Sequence, residues 1–366
     1  MIHALGAKIK TFVLRKRVRY LTRREWDKWH RDVFALRPEY AKPCPKSSEK
    51  EHLRLWRPLR PDVSLDTLRI CYNISGVADP HMIPEEIWQS ELESVLNRYD
   101  FCNFLANKSF SNRWFPGGLF PQVFLHNIDG TFYTGDYEPV DGAEVDALLR
   151  GMDYPVVFKP SMGSGGRGVC FPDSPEALRE RMAAQRNFVV QRKIRQHPFF
   201  SRFNSHGLNT LRVCLYRSVV DNQVHFLNAA LRMGVGGSLD NLTQGGIVRY
   251  VHEDGRLNHY AVDTHGLRFD RHPDSGLDFS VREVVPRFEE LRQIARRAAD
   301  CVYLTRVVSF DFCLDEAGQW RAIEVNLKNQ TIQFPQYAGH PFFGRFTHEV
   351  VEYCREHPRW TVTFPP

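Results

Sequence analysis

A hairpin near the C-terminal end of the chain carries the side chains best suited to binding a metal ion. Two apolar runs, Val307–Leu314 and Trp320–Asn326, are joined by a short polar turn. If the turn is centred between Ala317 and Gly318, Asp311 lies opposite Glu324, and the two-residue period places Asn326 on the same face. Opposed carboxylates destabilise a sheet unless a cation lies between them. The hairpin therefore predicts bound Mg²⁺, or Mn²⁺ in its place, with phosphate oxygens as further ligands.

The alternative for this hairpin is a solvated face that binds nothing. Against it, Phe310, Phe312, Ile323 and Val325 alternate with the polar residues and predict that the opposite face is buried. A hairpin with one buried face presents its polar side chains together on the other face, as a metal site requires.

The stretch Val156–Cys170 is suited to holding phosphate, because it reads as an apolar strand ending in a lysine, a glycine-rich loop and a second strand. Glycines allow backbone N–H groups to approach phosphate oxygens closely, and the lysine adds a positive charge. The loop lacks both the Gly-Lys-Ser/Thr ending and the long following helix of the two common phosphate loops, and a flexible hairpin is its alternative. The candidate phosphate-binding residues are Lys159, Ser161, Gly163, Ser164, Gly165, Gly166 and Gly168.

Together, the strand lysine, the glycine-rich loop and the hairpin resemble the ATP-grasp superfamily. The resemblance extends over roughly residues 106–355. It implies an α+β protein with the ATP-grasp fold, in which two α+β subdomains clamp a nucleotide. Other motifs are similar to the sugar-transfer-associated branch, whose members tend to accompany polysaccharide-building enzymes: Asn209–Val213, Leu231–Gly234, Asp240–Asn241 and Gly245–Ile247.

The resemblance also implies how the nucleotide is held. Lys108 looks like the first phosphate-contacting lysine of the superfamily and Lys159 like the second. Residues 189–194 resemble the hinge segment that passes beside adenine in the superfamily. Backbone groups of Arg192 and Ile194 in this segment are expected to bind the base. ATP is the expected nucleotide, although the hinge lacks the acidic residue that many relatives use for the ribose. The hinge residues assigned to nucleotide binding are Gln191, Arg192, Lys193 and Ile194.

Three further residues are assigned to catalysis. Arg212 and Arg232 lie in strand-like runs, and their guanidinium groups are expected to point toward the metal and the phosphates. Such cations stabilise charge that develops on a phosphoryl group or an oxyanion. Asn241 lies in a glycine-rich segment that could close over the acceptor. For either arginine, a surface ion pair is the alternative.

The activity implied by the resemblance is ATP- and Mg²⁺-dependent ligation of a carboxylate to an amine through an acyl phosphate. A uronic acid or other glycan carboxylate and an amino acid are the expected substrates, by analogy with the branch alone. Two alternatives stay open: a kinase that phosphorylates a sugar or small molecule, and a non-catalytic nucleotide-binding partner of a glycan-assembly complex. The sequence does not separate ligase from kinase.

Composition is that of a cytoplasmic enzyme. The chain has 366 residues, of which 42% are hydrophobic, and its eight cysteines show no zinc-type spacing. Three regions are predicted: a mainly helical region over residues 1–105, a subdomain with the glycine-rich loop over 106–194, and a subdomain with the metal site over 195–366. A net charge of +6 and the lack of a recognised module argue against nucleic acid. A homodimer stays open.

The N-terminal segment from Lys8 to Arg24 is basic and partly amphipathic. Its charges could meet anionic lipid headgroups while apolar side chains insert beneath them, namely Ile2, Leu5, Ile9 and Phe12. This pattern predicts a weak membrane-surface contact. The alternative is a solvated helix face, the commoner outcome for such charge runs.

Overall fold

The chain begins with a helical region. A computed structural model describes residues 2–115, 117–163, 165–236 and 245–360, with side chains except at residues 2–9, 100 and 101. The regular elements of this first region are helical, as predicted, and a π-helical turn at Trp88–Leu92 continues α4 into α5. The α-helices are α1 (Ile2–Leu36), α2 (Lys46–Trp56), α3 (Asp66–Ser75), α4 (Glu85–Ile87), α5 (Glu93–Leu96), α6 (Tyr99–Leu105) and α7 (Ser111–Trp114).

A five-stranded antiparallel sheet, the small sheet, follows. Its strand order is β3-β2-β1-β5-β4. Helix α8 begins with a capping box, because Asp141 accepts from the Glu144 N–H and Glu144 accepts from the Asp141 N–H. The elements are β1 (Val123–Ile128), β2 (Thr131–Thr134), β3 (Pro139–Val140), α8 (Gly142–Arg150), β4 (Val156–Pro160), α9 (Pro175–Ala184) and β5 (Phe188–Arg192).

A seven-stranded antiparallel sheet, the large sheet, comes next along the chain, and the space between the two sheets is called the cleft. Its order is β10-β9-β8-β7-β6-β11-β12, so strands far apart in sequence become neighbours. The elements are α10 (Pro198–Ser201), β6 (Thr210–Arg217), β7 (Val224–Met233), β8 (Ile247–Val251), β9 (Ala261–Val262), β10 (Arg268–Phe269), α11 (Phe288–Asp300), β11 (Val307–Leu314), β12 (Trp320–Asn326), α12 (Gln333–Tyr337) and α13 (Thr347–Glu356).

The two faces of the large sheet have different environments. One face is covered by α11, whose buried Leu291, Ala295 and Ala298 follow a three- to four-residue spacing and join the core formed by alternate residues of β6, β7 and β11. Because side chains alternate along a strand, Arg212, Arg232 and Asp311 project from the other face. The helical region packs on that same face, at the end away from the hairpin turn. The core formed there includes Trp88 of the helical region and Tyr216 of β6.

The predicted α+β class and the mainly helical N-terminal region are confirmed. The boundaries predicted near residues 105 and 194 stay predictions. In the described part of the chain, no helix combines the length and apolar character needed to cross a membrane.

Candidate nucleotide and metal site

Two arginines from neighbouring strands converge on one buried aspartate. Arg212 lies opposite Asp311 in the pairing of β6 with β11. It donates from Nε to Asp311 Oδ1 and from Nη2 to Oδ2, each at 2.7 Å. Arg232 on β7 donates from Nη1 to the same Oδ2 atom, also at 2.7 Å. The three side chains form what we call the arginine cluster, and the aspartate within it is only 5% exposed.

The arginines keep this aspartate ionised. Burial alone would raise the pKa of the Asp311 carboxyl, but the guanidinium groups of Arg212 and Arg232 lower that pKa to about 2. Burial likewise opposes the charge on Arg212, yet the Asp311 carboxylate raises the pKa of Arg212 above its ordinary value. The arginine cluster therefore carries one net positive charge near neutral pH.

One donor of the arginine cluster has no hydrogen-bond partner among the described residues. The Nε atom of Arg232 is buried and makes no hydrogen bond within the described part of the chain. A buried guanidinium N–H that lacks a partner costs free energy. An anionic oxygen of a ligand would satisfy it with a charge-assisted hydrogen bond.

The hairpin brings the second carboxylate to the same place. Asp311 lies opposite Glu324, as predicted, but the pairing nearer the turn is shifted, so that Phe312 faces Ala322. Ile323 is the extra residue of a β-bulge and is half-buried, so its expected place in the buried set was wrong. The pairing nearest the turn would alone set Asp311 opposite Ile323, and the bulge brings Glu324 opposite Asp311 instead.

Asn326 completes the polar set of the hairpin. It lies on the same strand as Glu324, two residues later, and its Nδ2 atom is 3.5 Å from Asp311 Oδ2. Two carboxylates and one amide therefore share one face of the sheet, beside Arg212.

Lys108 connects the large sheet to the glycine-rich loop. Its Nζ atom lies 3.0 Å from Glu324 Oε1 and donates to the Gly163 carbonyl at 2.7 Å. Its backbone N–H donates to the Ser161 carbonyl at 2.8 Å. The Ser161 hydroxyl also shares a hydrogen bond of 2.6 Å with Ser109. The lysine assigned to phosphate thus bridges the two sides of the cleft through the hairpin carboxylate.

The glycine-rich loop has the backbone expected of a phosphate-binding loop. The φ angles are +129° at Gly163, +69° at Gly165, +70° at Gly166 and +75° at Gly168, a range that L side chains rarely adopt. The predicted second strand is only a single bridge between Cys170 and the strand residue it faces in β4. Ser164, also assigned to phosphate, lies outside the described residues.

Lys159 faces the cleft from the small sheet. Val156 and Phe158 of β4 pack into the core of that sheet, so the alternation of the strand turns Lys159 to the other face. Gln191 on β5 lies opposite Val157, on the same cleft-facing side. Both assigned residues are buried, at 9% exposure for Lys159 and 4% for Gln191.

The hinge borders a pocket of about 760 Å³ at the other end of the cleft. Arg192, Lys193 and Ile194 line it. The N–H group of Arg192 already donates to the Gln122 carbonyl at 2.9 Å, so in this structure it is not a donor for adenine. The predicted base contact of this hinge residue is therefore restricted to its carbonyl.

Three carboxylates that the sequence did not assign line the same pocket: Asp153, Asp315 and Glu316. Asp315 and Glu316 come from the tip of the hairpin, far from the hinge in sequence. The Glu316 N–H donates to the Arg195 carbonyl at 2.8 Å, which fixes the hairpin tip against the hinge. Carboxylates from another segment thus lie beside the hinge, which has no acidic residue of its own. Their position in a polar turn gave no sequence signal.

The helical region contacts the end of the hairpin of β11 and β12 through Glu93 and Gln330. Gln330 donates from Nε2 to the Asn326 carbonyl at 2.6 Å, and its backbone N–H donates to Glu93 Oε1 at 2.7 Å. Tyr99 donates its hydroxyl to Glu93 Oε2 at 2.9 Å. Burial raises the pKa of Glu93 to about 7, because these hydrogen bonds only partly offset the loss of water. Sequence reasoning assigned neither Glu93 nor Gln330.

The donor set suits a hard cation, although part of it is already neutralised. Carboxylate and amide oxygens are the ligands that Mg²⁺ prefers. In the described residues, however, no group of three or more His, Cys, Asp or Glu side chains is arranged to hold a metal. Two carboxylates, Asp311 and Glu324, face three cationic side chains of the site. The set therefore fits Mg²⁺ that arrives with the negative charge of a triphosphate. Asn241 lies outside the described residues.

The chain matches the sequence model described as sugar-transfer associated ATP-grasp, over residues 178–349. This match identifies that region as a sugar-transfer associated ATP-grasp region, so the resemblance predicted from the motifs is confirmed. The matched residues include the arginine cluster and the hairpin of β11 and β12. No curated protein matches the chain.

Several solved structures are similar to this chain. The biotin carboxylase domain of 2-oxoglutarate carboxylase from Hydrogenobacter thermophilus, in complex with MgADP, ADP and bicarbonate, is 14% identical, with a TM-score of 0.45 over 73% of this chain and 50% of that one. L-amino acid ligase from Bacillus licheniformis is 13% identical, with a TM-score of 0.41 over 70% and 49%. N5-carboxyaminoimidazole synthetase from Staphylococcus aureus is 9% identical, with a TM-score of 0.40 over 67% and 51%. The chain thus spans about half the length of each of these chains, and similarity at this level does not identify a substrate.

Proposed function

We propose that the protein is an ATP- and Mg²⁺-dependent ligase that joins a carboxylate to an amine through an acyl phosphate. The observation that carries this proposal is the arginine cluster with the buried Nε atom of Arg232, which has no partner among the residues that the structure describes. Such a donor beside a phosphate-binding cleft suits an anionic acceptor better than a neutral hydroxyl. A carboxylate acceptor is what distinguishes a ligase from a sugar kinase.

The nucleotide would lie along the cleft. Its base and ribose would occupy the pocket between the hinge and the hairpin tip, where Asp315 or Glu316 can accept from the ribose hydroxyls. Its phosphates would lie against the glycine-rich loop and Lys159. Asp311, Glu324 and Asn326 would hold Mg²⁺, which when bound would offset phosphate charge and orient the γ-phosphoryl group.

The chemistry follows from these positions. A carboxylate oxygen of the acceptor attacks the γ-phosphorus, the bond to the β,γ-bridging oxygen breaks, and ADP leaves. The amine then attacks the acyl carbon, phosphate leaves, and the nitrogen loses one proton. Arg212 and Arg232 are placed to stabilise the charge that develops on the acceptor oxygens, since their orientation is fixed in advance by Asp311.

The substrate class is inferred from the matched region alone. Because that region is described as sugar-transfer associated, we propose a uronic acid or other glycan carboxylate as acceptor and an amino acid as amine, in the biosynthesis of a polysaccharide or glycoconjugate.

The test is ATP turnover by the purified protein with Mg²⁺ and pools of carboxylates, uronic acids and amines. Release of ADP and phosphate with a product that has lost one water supports the ligase. Hydroxylamine in place of the amine should trap the acyl phosphate as a hydroxamate even when the natural amine is unknown. A product heavier by one phosphoryl group, with no hydroxamate, would replace the proposal by the kinase.

Glu324→Gln links this chemistry to the hairpin. We expect hydroxamate formation to fall at least about 100-fold, because a metal ligand is lost while the fold is kept. The matched control is Glu289→Gln on α11, which also removes one carboxylate paired with one cation at 3.0 Å, but away from the cleft. Equal activity of the two variants would contradict the metal assignment.

A further inference from the structure

The first helix concentrates the positive charge of the whole protein. Helix α1 contains ten basic and three acidic residues, a net charge of +7, whereas the entire chain has a net charge of +6. The remainder of the molecule is therefore slightly negative. Charge this localised acts as an electrostatic footprint for an anionic partner.

One face of α1 is occupied by the protein itself. Val18, Thr22, His30 and Val33 are buried, and Trp26 donates to Gln89 at 2.9 Å. These contacts fix the rotation of the helix about its axis, so the opposite face has a defined composition.

The opposite, outer face combines apolar and basic side chains. Val13 and Tyr20, seven residues apart, lie on it at 57% and 65% exposure, and Phe12 beside them is 59% exposed. Lys16 and Arg17 lie between them along the helix. The exposed basic residues of α1 are Lys10, Lys16, Arg17, Arg24, Lys28 and Arg31.

We propose that the outer face of α1 docks the protein on an anionic membrane surface. Basic side chains around a few exposed aromatic and aliphatic groups are the composition of an interfacial helix, in which charges meet lipid headgroups and apolar groups dip into the interface. Nucleic acid fits less well, because exposed aliphatic groups such as Val13 gain nothing from a phosphate backbone. No part of this proposal depends on the ligase activity.

The test is flotation of the full-length protein with vesicles. Vesicles of phosphatidylcholine with about 30% phosphatidylserine should bind it, and vesicles of phosphatidylcholine alone should not. Raising the salt concentration from about 0.1 M to about 0.5 M should release most of the protein, because the contact is mainly electrostatic.

A charge-matched pair of variants locates the surface. Lys16→Glu/Arg17→Glu should bind anionic vesicles at least about 25-fold more weakly, from the loss of two headgroup contacts. The control, Arg296→Glu/Arg297→Glu on α11, changes the net charge equally at two exposed positions and should bind like the unmodified chain. Nucleotide binding of both variants should match that of the unmodified chain, which verifies folding.

A third variant tests the apolar part. Val13→Ser/Tyr20→Ser keeps every charge and should lose the binding that survives at high salt. The proposal is wrong if the unmodified chain ignores anionic vesicles, or if the two charge-reversed variants lose binding equally. It is also wrong if RNA or DNA binds through Lys16 and Arg17 while vesicles do not.

Discussion

The two sides of the cleft hold their charges in different ways. On the large sheet, Asp311 accepts three hydrogen bonds of 2.7 Å from Arg212 and Arg232, all from strands. On the small sheet, the groups proposed to bind phosphate lie in a loop whose glycines Gly163 and Gly168 adopt positive φ. The large sheet fixes its side chains by buried ion pairs. The small sheet instead presents the backbone of a glycine-rich loop to a ligand.

This difference matches what each side would do. Charge that develops on an acceptor is best stabilised by cations that need not move, because reorganisation during the reaction costs free energy. Phosphates must enter and leave, so their loop gains from being held mainly by contacts at its edges, such as Lys108 to the Gly163 carbonyl. If the large-sheet side is rigid and the loop side adapts to its ligand, substitutions on the two sides should differ in their effects on stability and on binding.

Asp311→Asn should be the most damaging of these changes. It leaves Arg212 and Arg232 buried without their counter-ion, and we expect the free energy of unfolding to fall by about 3–5 kcal/mol. Urea denaturation followed by circular dichroism measures this loss. The control is Asp146→Asn, whose ion pair with Arg179 is equally short at 2.7 Å but largely exposed, and which should change little. Similar losses in both variants would show that the arginine cluster is not specially rigid.

The sequence predicted one side of this contrast better than the other. The register of Asp311 with Glu324 lies within one hairpin, where a local turn and the bulge at Ile323 together set the two strands. The pairing of Arg212 with Asp311 depends on β6 lying beside β11, across 99 residues, and no local pattern contains that strand order.

The same limit explains the other residues that were missed. Glu93 meets Gln330 across 237 residues, and the hairpin tip meets the hinge only in the folded chain. Sequence motifs predicted the glycine-rich loop and the hairpin, and they identified both arginines as site residues. Glu93 reaches Gln330 through the packing of the helical region on the large sheet, and no periodicity encodes that packing.

Glu93 extends the rigid side and gives it a pH dependence. Its pKa is raised from 4.5 to about 7 in the folded state, so between these pH values the folded protein holds a proton that the unfolded chain has lost. Stability from this group is therefore complete below about pH 4.5 and falls by about 3 kcal/mol as the pH rises to about 7.

Glu93→Gln isolates this effect, because glutamine resembles the protonated acid and does not titrate. Buried histidines such as His52, whose pKa burial lowers to about 4, act in the opposite direction in both proteins and cancel in the difference. The stability of the unmodified chain relative to the variant, from urea denaturation at pH 5 and pH 7, should fall with rising pH. A constant difference would mean that Glu93 does not titrate in this range.

Two glycine substitutions compare the loop with an open helix end. A Cβ at Gly168, where φ is +75°, would lie 2.7 Å from Pro160 Cγ, whereas a Cβ at Gly76, the left-handed residue after α3 where φ is +80°, would meet nothing within 4 Å. Both alanine variants adopt nearly the same unfavourable φ, so Gly168→Ala should be less stable than Gly76→Ala by about 1 kcal/mol or more. Thermal unfolding of the two variants gives the comparison, and equal melting temperatures would mean that Pro160 yields without cost.

Lys108 connects the two sides, and changing it should have the smallest but most informative effect. Lys108→Met removes a cation from phosphate, so the affinity for MgATP should fall about tenfold, in keeping with one lost charge-assisted contact. It also frees Glu324 from its 3.0 Å ion pair, so Mn²⁺ alone, used as a paramagnetic probe, should bind more tightly than to the unmodified chain.

The opposite signs of these two changes separate the interpretations. Lys328→Met, just beyond the hairpin, is the control: it removes a lysine that donates to Asn103 at 2.7 Å and touches neither carboxylate, so neither affinity should change. If Lys108→Met weakened MgATP and left Mn²⁺ binding unaltered, Lys108 would serve phosphate alone. If both affinities rose, the ion pair would be a latch that nucleotide must open, and the loop side would be as fixed as the arginine cluster.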